Sequence, residues 1–362
     1  MKKNDSGPNA VGHNSVISAV TTAIFDMFSN KGQLDALGDH ERIEGKTCFI
    51  TGANTGLGKS IAVDLAKRGG RIIMACRSGI PEAGEDVKRL SGNTNVEMIQ
   101  VDLSDLNSVN ALCDTLQNRG ISIDIAVMNA GLMPLNSRRS DQGYELMFAV
   151  HFLANRLIMD RFIHDGIMQP CSNNTTQKDT PRIIFVSSEA HQSSDAINFD
   201  QFGAYVEYGL KEGLKHYGTS KLHLSTFAQE LSRKLNPGYD SNSNAPVDFA
   251  IHSLCPGPIA SNIARESPRF LKPILTPIMK LFFNSPDKAA EPVVLLACSE
   301  KMGYRTGVYL HMMREKNASA HATDPQQGAL LWESSQRLIA DFLSPTETTK
   351  PQSATTSTAT PA

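Results

Sequence analysis

The strongest constraint on this chain's architecture is an alternation that begins at about Lys46. Short apolar or β-branched runs (TCFIT, RIIMA, VEMIQVD, IAVMN, RIIFVSS, VDFAIHSLCP and, late on, GVYL) are separated by segments of helical length and periodicity, such as 59–68 and 109–118. Strands that are apolar almost throughout are strands covered on both faces, and parallel neighbours need a crossover helix between them. The pattern predicts an α/β domain with a doubly wound parallel sheet. In such a sheet a ligand lies beyond the carboxyl ends of the strands, where the strand order reverses, so the residues just after each strand carry the functional information.

Around this domain, placed at 45–343, the sequence predicts an N-terminal extension over 1–44 and a disordered tail from Ser344, which is low-complexity Thr, Ser and Pro. Residues 168–181 and 236–246 are polar and rich in Pro, Gly and Asn, and are expected as surface loops. In the extension Ile17, Val20, Ile24 and Phe28 recur at helical spacing. The apolar stretch is shorter than the roughly 20 residues a spanning helix needs, so it is expected to pack on the body or to touch a membrane surface. Of 362 residues 40% are hydrophobic, ample for one large core, and with a net charge of −2 and scattered Lys and Arg nothing points to nucleic acid. The six cysteines are far apart and the ten histidines do not cluster, so neither disulfides nor a metal is expected, and a reducing, cytoplasmic setting is the default.

Directly after the first strand runs Thr51-Gly52-Ala53-Asn54-Thr55-Gly56-Leu57-Gly58-Lys59, followed by a helix. Glycines there permit a tight turn and let backbone approach a pyrophosphate, while the helix N-terminus offers unpaired N–H groups to it. The spacing is G-x-x-x-G-x-G rather than the G-x-G-x-x-G of the standard Rossmann fingerprint, but its place between the first strand and a helix points to a dinucleotide site; a plain Gly-rich turn is the alternative. The second strand ends at Ala75-Cys76 and continues into Arg77-Ser78, with no acidic group to bind a ribose 2′-hydroxyl. A guanidinium at Arg77 suits a 2′-phosphate, so NADP is expected over NAD, with Lys59 as a second positive charge; an ordinary surface cation is the alternative.

Tyr217 and Lys221 are four residues apart in a segment that reads as a helix opening at Tyr217 and running to about Lys234. That spacing puts both side chains on one face. An ammonium beside a phenol stabilises the phenolate, which lets the Tyr act as general acid or base. Ser187 and Ser188 end the RIIFV strand, where a hydroxyl can polarise a substrate carbonyl or merely cap a turn.

Taken together the motifs resemble the short-chain dehydrogenase/reductases, in particular their retinol-dehydrogenase-like branch, over about 45–343. They are TGANTGLG at 51–58, Asp102-Leu103, Asn129-Ala130-Gly131, Ser188, YGTSK at 217–221, and Pro256-Gly257-Pro258-Ile259 with Ser261. The resemblance implies that Gly52, Gly56 and Gly58, with Asn54, Thr55 and Leu57 between them, hold the pyrophosphate. It places Asp102 and Leu103 at the adenine side and Asn129 at the adenosine end, with Ala130 and Gly131 also among the cofactor contacts. Lys221 would also bind the nicotinamide ribose, and Pro256, Gly257, Ile259 and Ser261 would border the nicotinamide carboxamide. Tyr217 would be the acid/base and Ser188 the polarising donor. One position departs: His151 stands where the family has a fourth catalytic residue, an asparagine. A neutral imidazole could still hold a relay water there, or the change could slow turnover, with Asn155 one helical turn on.

Past the cofactor motif, apolar pairs from Phe270 to Phe283 recur every four residues around Pro273 and Pro277. An apolar lid there would suit a hydrophobic carbonyl or alcohol such as a retinoid, steroid or lipid aldehyde; core packing or a membrane or subunit contact, including a homodimer, is the alternative. The leading expectation is an NADP-dependent carbonyl/alcohol oxidoreductase. A cofactor-binding regulatory protein with weakened catalysis, or a C=C reductase using the same pair, competes with it.

Overall fold

The computed structural model describes residues 33–38, 40–171, 180–241, 247–258 and 284–343. The helix anticipated within 1–44, the tail from Ser344, Ile259, Ser261 and the apolar pairs at 270–283 lie outside the described residues, as do parts of the two polar loops.

Eight strands form one sheet: β1 (Thr47–Thr51), β2 (Arg71–Cys76), β3 (Val96–Gln100), β4 (Ile125–Met128), β5 (Arg182–Val186), β6 (Ala250–Cys255), β7 (Val308–His311) and β8 (Arg314–Lys316). Their order is β3-β2-β1-β4-β5-β6-β7-β8. Every pairing is parallel except that of β7 with β8. The first seven strands are the seven apolar runs of the sequence. β8 was not foreseen: Arg314-Glu315-Lys316 is charged and caps the sheet edge, where there is no second covered face to impose an apolar pattern.

Helices cover both faces: α1 (Gly56–Lys67), α2 (Glu82–Ser91), α3 (Leu106–Asn118), α4 (Ala154–His164), α5 (Leu210–Leu235), α6 (Pro286–Cys298), α7 (Glu300–Gly303), α8 (Ala320–Thr323) and α9 (Pro325–Ile339). Successive strand residues point to opposite faces and so divide the core in two. Phe49, Ile73 and Phe185 join Leu112, Phe152, Phe162 and Phe227 on the α3–α4–α5 side. Ile50, Ile72 and Ile184 join Ile61, Leu65, Val293 and Leu296 on the α1–α6 side. This is the Rossmann-type, doubly wound sheet expected, and its order reverses between β1 and β4, which sets the crevice there.

Two local departures matter for the site. The helix bearing Tyr217 begins at Leu210, about two turns earlier than its first polar residues suggest. The chain entering α4 makes a π-helical turn over Phe148–Leu153, the kind of irregularity that re-aims a side chain, and His151 sits in it. Beyond the site, α9 packs on α5: Trp332 stacks on Phe227, with ring centroids 6.1 Å apart, and the Arg156 guanidinium lies 4.0 Å from the Trp332 ring centre.

Candidate active site

The turn after β1 shows why its glycines are needed. Gly52 and Gly56 take φ of 65° and 55°, in the left-handed region that penalises any side chain. At Gly58 the conformation is ordinary but the space is absent, since a Cβ would lie 2.4 Å from the Gly52 carbonyl oxygen and 2.5 Å from Asn129 Nδ2. Thr55 precedes α1, and its side chain makes no cap hydrogen bond to the helix's first N–H groups. Leu57 turns inward and is buried.

The turn is stitched to the segment after β4. Asn129 and Ala130 each donate a backbone N–H to Thr51 Oγ1 at 3.0 Å. Asn129 Nδ2 donates to the Thr51 and Gly52 carbonyls at 2.9 and 3.3 Å. The Asn129 amide therefore holds the turn's shape, a role the bare motif did not reveal, and Thr51 was not singled out from sequence at all.

On the adenine side, Arg77 follows β2 and its side chain is 69% exposed, 3.8 Å from the Asp102 carboxylate. Asp102 is positioned by accepting from the Ser104 N–H and hydroxyl at 2.9 and 2.6 Å, and Leu103 is buried. Asn54 Nδ2 ties the first turn to the Ser78 carbonyl at 3.1 Å. Lys59, expected as a second cation here, instead pairs with Asp86 at 2.6 Å, because α1 turns it toward α2.

At the other end of the crevice the predicted catalytic residues converge. Ser188 directly follows Ser187 after β5; its hydroxyl accepts the Ala190 N–H at 3.3 Å and is near enough to the Tyr217 phenol to lower that group's pKa. Ser187 points the other way, its hydroxyl 2.7 Å from that of Ser225 on α5. Lys221 Nζ is buried, donates to the Val186 carbonyl at 2.9 Å and lies 5.8 Å from the Tyr217 ring centre. Burial decides both ionisations: it pushes the phenol up to about 12, against the lowering effect of Ser188, and pulls the Lys221 ammonium down to about 8. The expected lowering of the phenol by the ammonium is absent, and desolvation sets the direction. Cys255, which ends β6, sits close enough to perturb both groups and has its own thiol pushed up to about 11 by burial.

His151 reaches the same place. Its ring packs edge-on against Tyr217 at 5.7 Å between centroids, and a Cβ on Gly131 would lie 3.4 Å from its Nε2 and 3.6 Å from Lys221 Nζ. Both ring nitrogens are engaged. Nε2 accepts the Leu132 N–H at 2.9 Å, so the proton is on Nδ1, which is 2.8 Å from Ser220 Oγ. Ser220 in turn donates to the Tyr217 carbonyl at 2.7 Å. Burial and the Lys221 charge hold the imidazole neutral. His151 is therefore a strut between the segment after β4 and α5, with no nitrogen left for a relay water. Asn155 does not replace it, since its Nδ2 donates to the His151 carbonyl at 2.7 Å and its Oδ1 is buried without a partner.

Pro256 and Gly257 follow β6 at the crevice edge. Gly257 takes φ of 83°, and a Cβ there would meet Met312 at 2.9 Å. The uncapped N-terminus of α1, the open side of Gly56, where a Cβ would meet nothing within 4 Å, and the convergence of Ser188, Tyr217 and Lys221 fit a dinucleotide lying across the switch point. Among the described residues no group of His, Cys, Asp and Glu side chains could hold a metal ion, and no helix is long and apolar enough to cross a membrane.

Comparison with known proteins agrees with this geometry. A family model for short chain dehydrogenase matches residues 46–204. Human retinol dehydrogenase 13 is 31% identical over 308 residues, 82% of this chain and 85% of that protein. Human retinol dehydrogenase 14 is 27% identical over 83% of this chain and 88% of its own length. Among solved structures, an uncharacterised protein of Mycobacterium paratuberculosis superposes with a TM-score of 0.62 at 23% identity, covering 84% of this chain and 98% of that one. The Pseudomonas aeruginosa RhlG/NADP complex does so with a TM-score of 0.54 at 21% identity, covering 76% and 98%. The chain belongs to the short-chain dehydrogenase/reductase family of oxidoreductases. Its place within that family is the retinol-dehydrogenase-like branch.

Proposed function

We propose that this chain is an NADP(H)-dependent oxidoreductase that interconverts a hydrophobic carbonyl compound and its alcohol. The observation that carries the reading is the gathering of Ser188, the Tyr217 phenol and the buried Lys221, 5.8 Å from the Tyr217 ring centre, at the carboxyl end of β5. Gly52, Gly56 and Gly58 with the N-terminus of α1 would hold the pyrophosphate, Arg77 a 2′-phosphate, and Gly131, Pro256 and Gly257 would border the nicotinamide end. When bound, the dinucleotide supplies or takes up the hydride at the substrate carbon.

The chain's own residues handle the proton. A carbonyl oxygen placed between Ser188 Oγ and the Tyr217 hydroxyl accepts from both, and the donors strengthen as negative charge develops on it. Tyr217, kept protonated across neutral pH by burial, delivers its proton to that oxygen. The phenolate left behind is stabilised by Lys221, whose cation is predominant below about 8. Alcohol oxidation runs the same transfer backwards, with the phenolate taking the alcohol's proton. Membership of a branch whose relatives are retinol dehydrogenases supports a retinoid or similar lipid aldehyde as the substrate class.

One observation favours a second reading, a dinucleotide-binding protein with weak turnover: both nitrogens of His151 are engaged, so the proton path through that position is closed. Tyr217→Phe decides between them. With NADPH and all-trans-retinal or nonanal, the parent is expected to turn over and the variant to lose roughly a hundredfold or more in kcat, the scale of general acid catalysis. A parent without activity on such aldehydes, unchanged by the substitution, would establish the binding-protein reading.

A further inference from the structure

Three residues after Ser188 lies a second buried imidazole that neither motif nor resemblance assigns. His191 is fully buried in the 3-10 turn Glu189–Ser193. Its Nε2 is 3.2 Å from the Ser319 backbone nitrogen, and its Nδ1 is 2.6 Å from the Ser188 carbonyl oxygen. A backbone N–H only donates and a carbonyl only accepts, so the contacts fix one arrangement: Nε2 accepts, and Nδ1 carries the proton that it donates to Ser188. Burial holds the ring neutral, which this arrangement requires.

His191 is one of four ties between this turn and the chain around β7 and β8. The Tyr309 hydroxyl and Lys316 Nζ each reach a different oxygen of the Glu189 carboxylate at 2.7 Å. Gln192 Nε2 donates to the Asn317 carbonyl at 2.9 Å. The Tyr309 ring packs edge-on against His191 at 5.0 Å between centroids. Of the four, only His191 bonds to Ser188 itself. Ser188 has two other bonds within the turn, the His191 N–H to its carbonyl at 3.2 Å and the Ala190 N–H to its hydroxyl at 3.3 Å, so the His191 ring is what ties it to the chain beyond β8.

We propose that His191 is a positioning residue for the reaction: by donating from Nδ1 to the Ser188 carbonyl while anchored on Ser319, it fixes the direction of the Ser188 hydroxyl toward Tyr217. This rests on the proposed role of Ser188. It also gives the segment after β8 a part in catalysis, since the orientation of a donor at β5 then depends on the backbone at Ser319. A misplacement of about 1 Å can cost on the order of a hundredfold in rate, so such a brace is large enough to measure.

Two conservative variants separate its two hydrogen bonds. The amide of His191→Asn occupies the place of Nδ1 and keeps the donor to Ser188, while that of His191→Gln occupies the place of Nε2 and keeps the acceptor for Ser319. The assay is NADPH-dependent reduction of the same aldehyde, with Tm measured on each protein. For His191→Gln we expect kcat to fall about tenfold or more, with KM for NADPH unchanged within about twofold. For His191→Asn we expect kcat within about threefold of the parent although Tm falls. In a Ser188→Ala background His191→Gln is expected to have no further effect on kcat. The inference is overturned if kcat follows Tm across the variants, or if His191→Gln lowers kcat equally with and without Ser188. Loss of activity in Tyr217→Phe but not in Ser188→Ala would also overturn it, while leaving the oxidoreductase reading in place. Isotope-labelled histidine gives a readout independent of turnover: His191 should show the Nδ1-protonated ring unchanged between about pH 5 and 8, and an Nε2-protonated ring would defeat the arrangement.

Discussion

Arg77 is where a single side chain would choose between two cofactors. It stands immediately after β2, and its partner Asp102 is 3.8 Å away with both groups open to water, so the ion pair is weak and leaves the guanidinium able to turn toward a phosphate. With Asp102 set against Ser104, the cation is the mobile member of the pair. Reversing the charge with Arg77→Asp should lower NADP affinity by roughly tenfold or more, about 1.4 kcal/mol per decade, and raise NAD affinity. Fluorescence titration of both dinucleotides checks this, and equal affinity of the parent for the two would remove the argument for NADP. At the same scale His151 shows how a residue type misleads when read alone: an imidazole can serve a water, but this one is locked by Leu132 and Ser220 into joining two backbone segments.

Elements meet most closely where α1 sits on the turn that precedes it. Gly58 faces the Gly52 carbonyl and the Asn129 amide at distances no methyl group can occupy, so Gly58→Ala must push α1 away from the segment after β4. Overpacking of this kind costs about 1–3 kcal/mol. The expected outcome is a lower Tm together with weakened dinucleotide binding, read by thermal melting and titration; a variant with parental values for both would show that helix and turn do not bear on one another. This packing was partly legible in the sequence. The six inner strands were readable because burial on both faces makes each an apolar run, and β3 at the edge because its residues are still largely apolar. The glycine turn, Ser188 and the Tyr217–Lys221 pair were readable because their chemistry rests on local spacing. β8, the early start of α5 and the π-helical turn were not, since none is marked by an apolar period. His191, Thr51 and Ser220 act through contacts that join distant parts of the chain, as His191 does across 128 residues to Ser319, and spacing carries no trace of such pairings.

For the molecule as a whole, the buried imidazoles set a limit on the acid side. His151, His191, His223 and His252 are all buried, and each has its pKa lowered chiefly by desolvation, to about 3 for His223 and His252. In the unfolded chain each titrates near its ordinary 6.5. Below that value the unfolded state takes up protons that the folded state refuses, until the pH reaches the folded pKa. Stability is therefore full above about 6.5 and is lost as pH falls from there toward 3, by about 1.4 kcal/mol per pH unit for each such group. Tm should drop steeply between about pH 6.5 and 5. The His223 ring lies against Phe148, Phe152 and Phe202, so His223→Phe is expected to flatten that slope by about one proton. A Tm independent of pH in that range would contradict the account.

Trp332 is the chain's single tryptophan, and it stacks on Phe227 two turns beyond Lys221 on the same helix. Its intrinsic emission is thus an optical gauge of one event, the seating of α9 against the catalytic helix. It lets that seating be timed during refolding without any label.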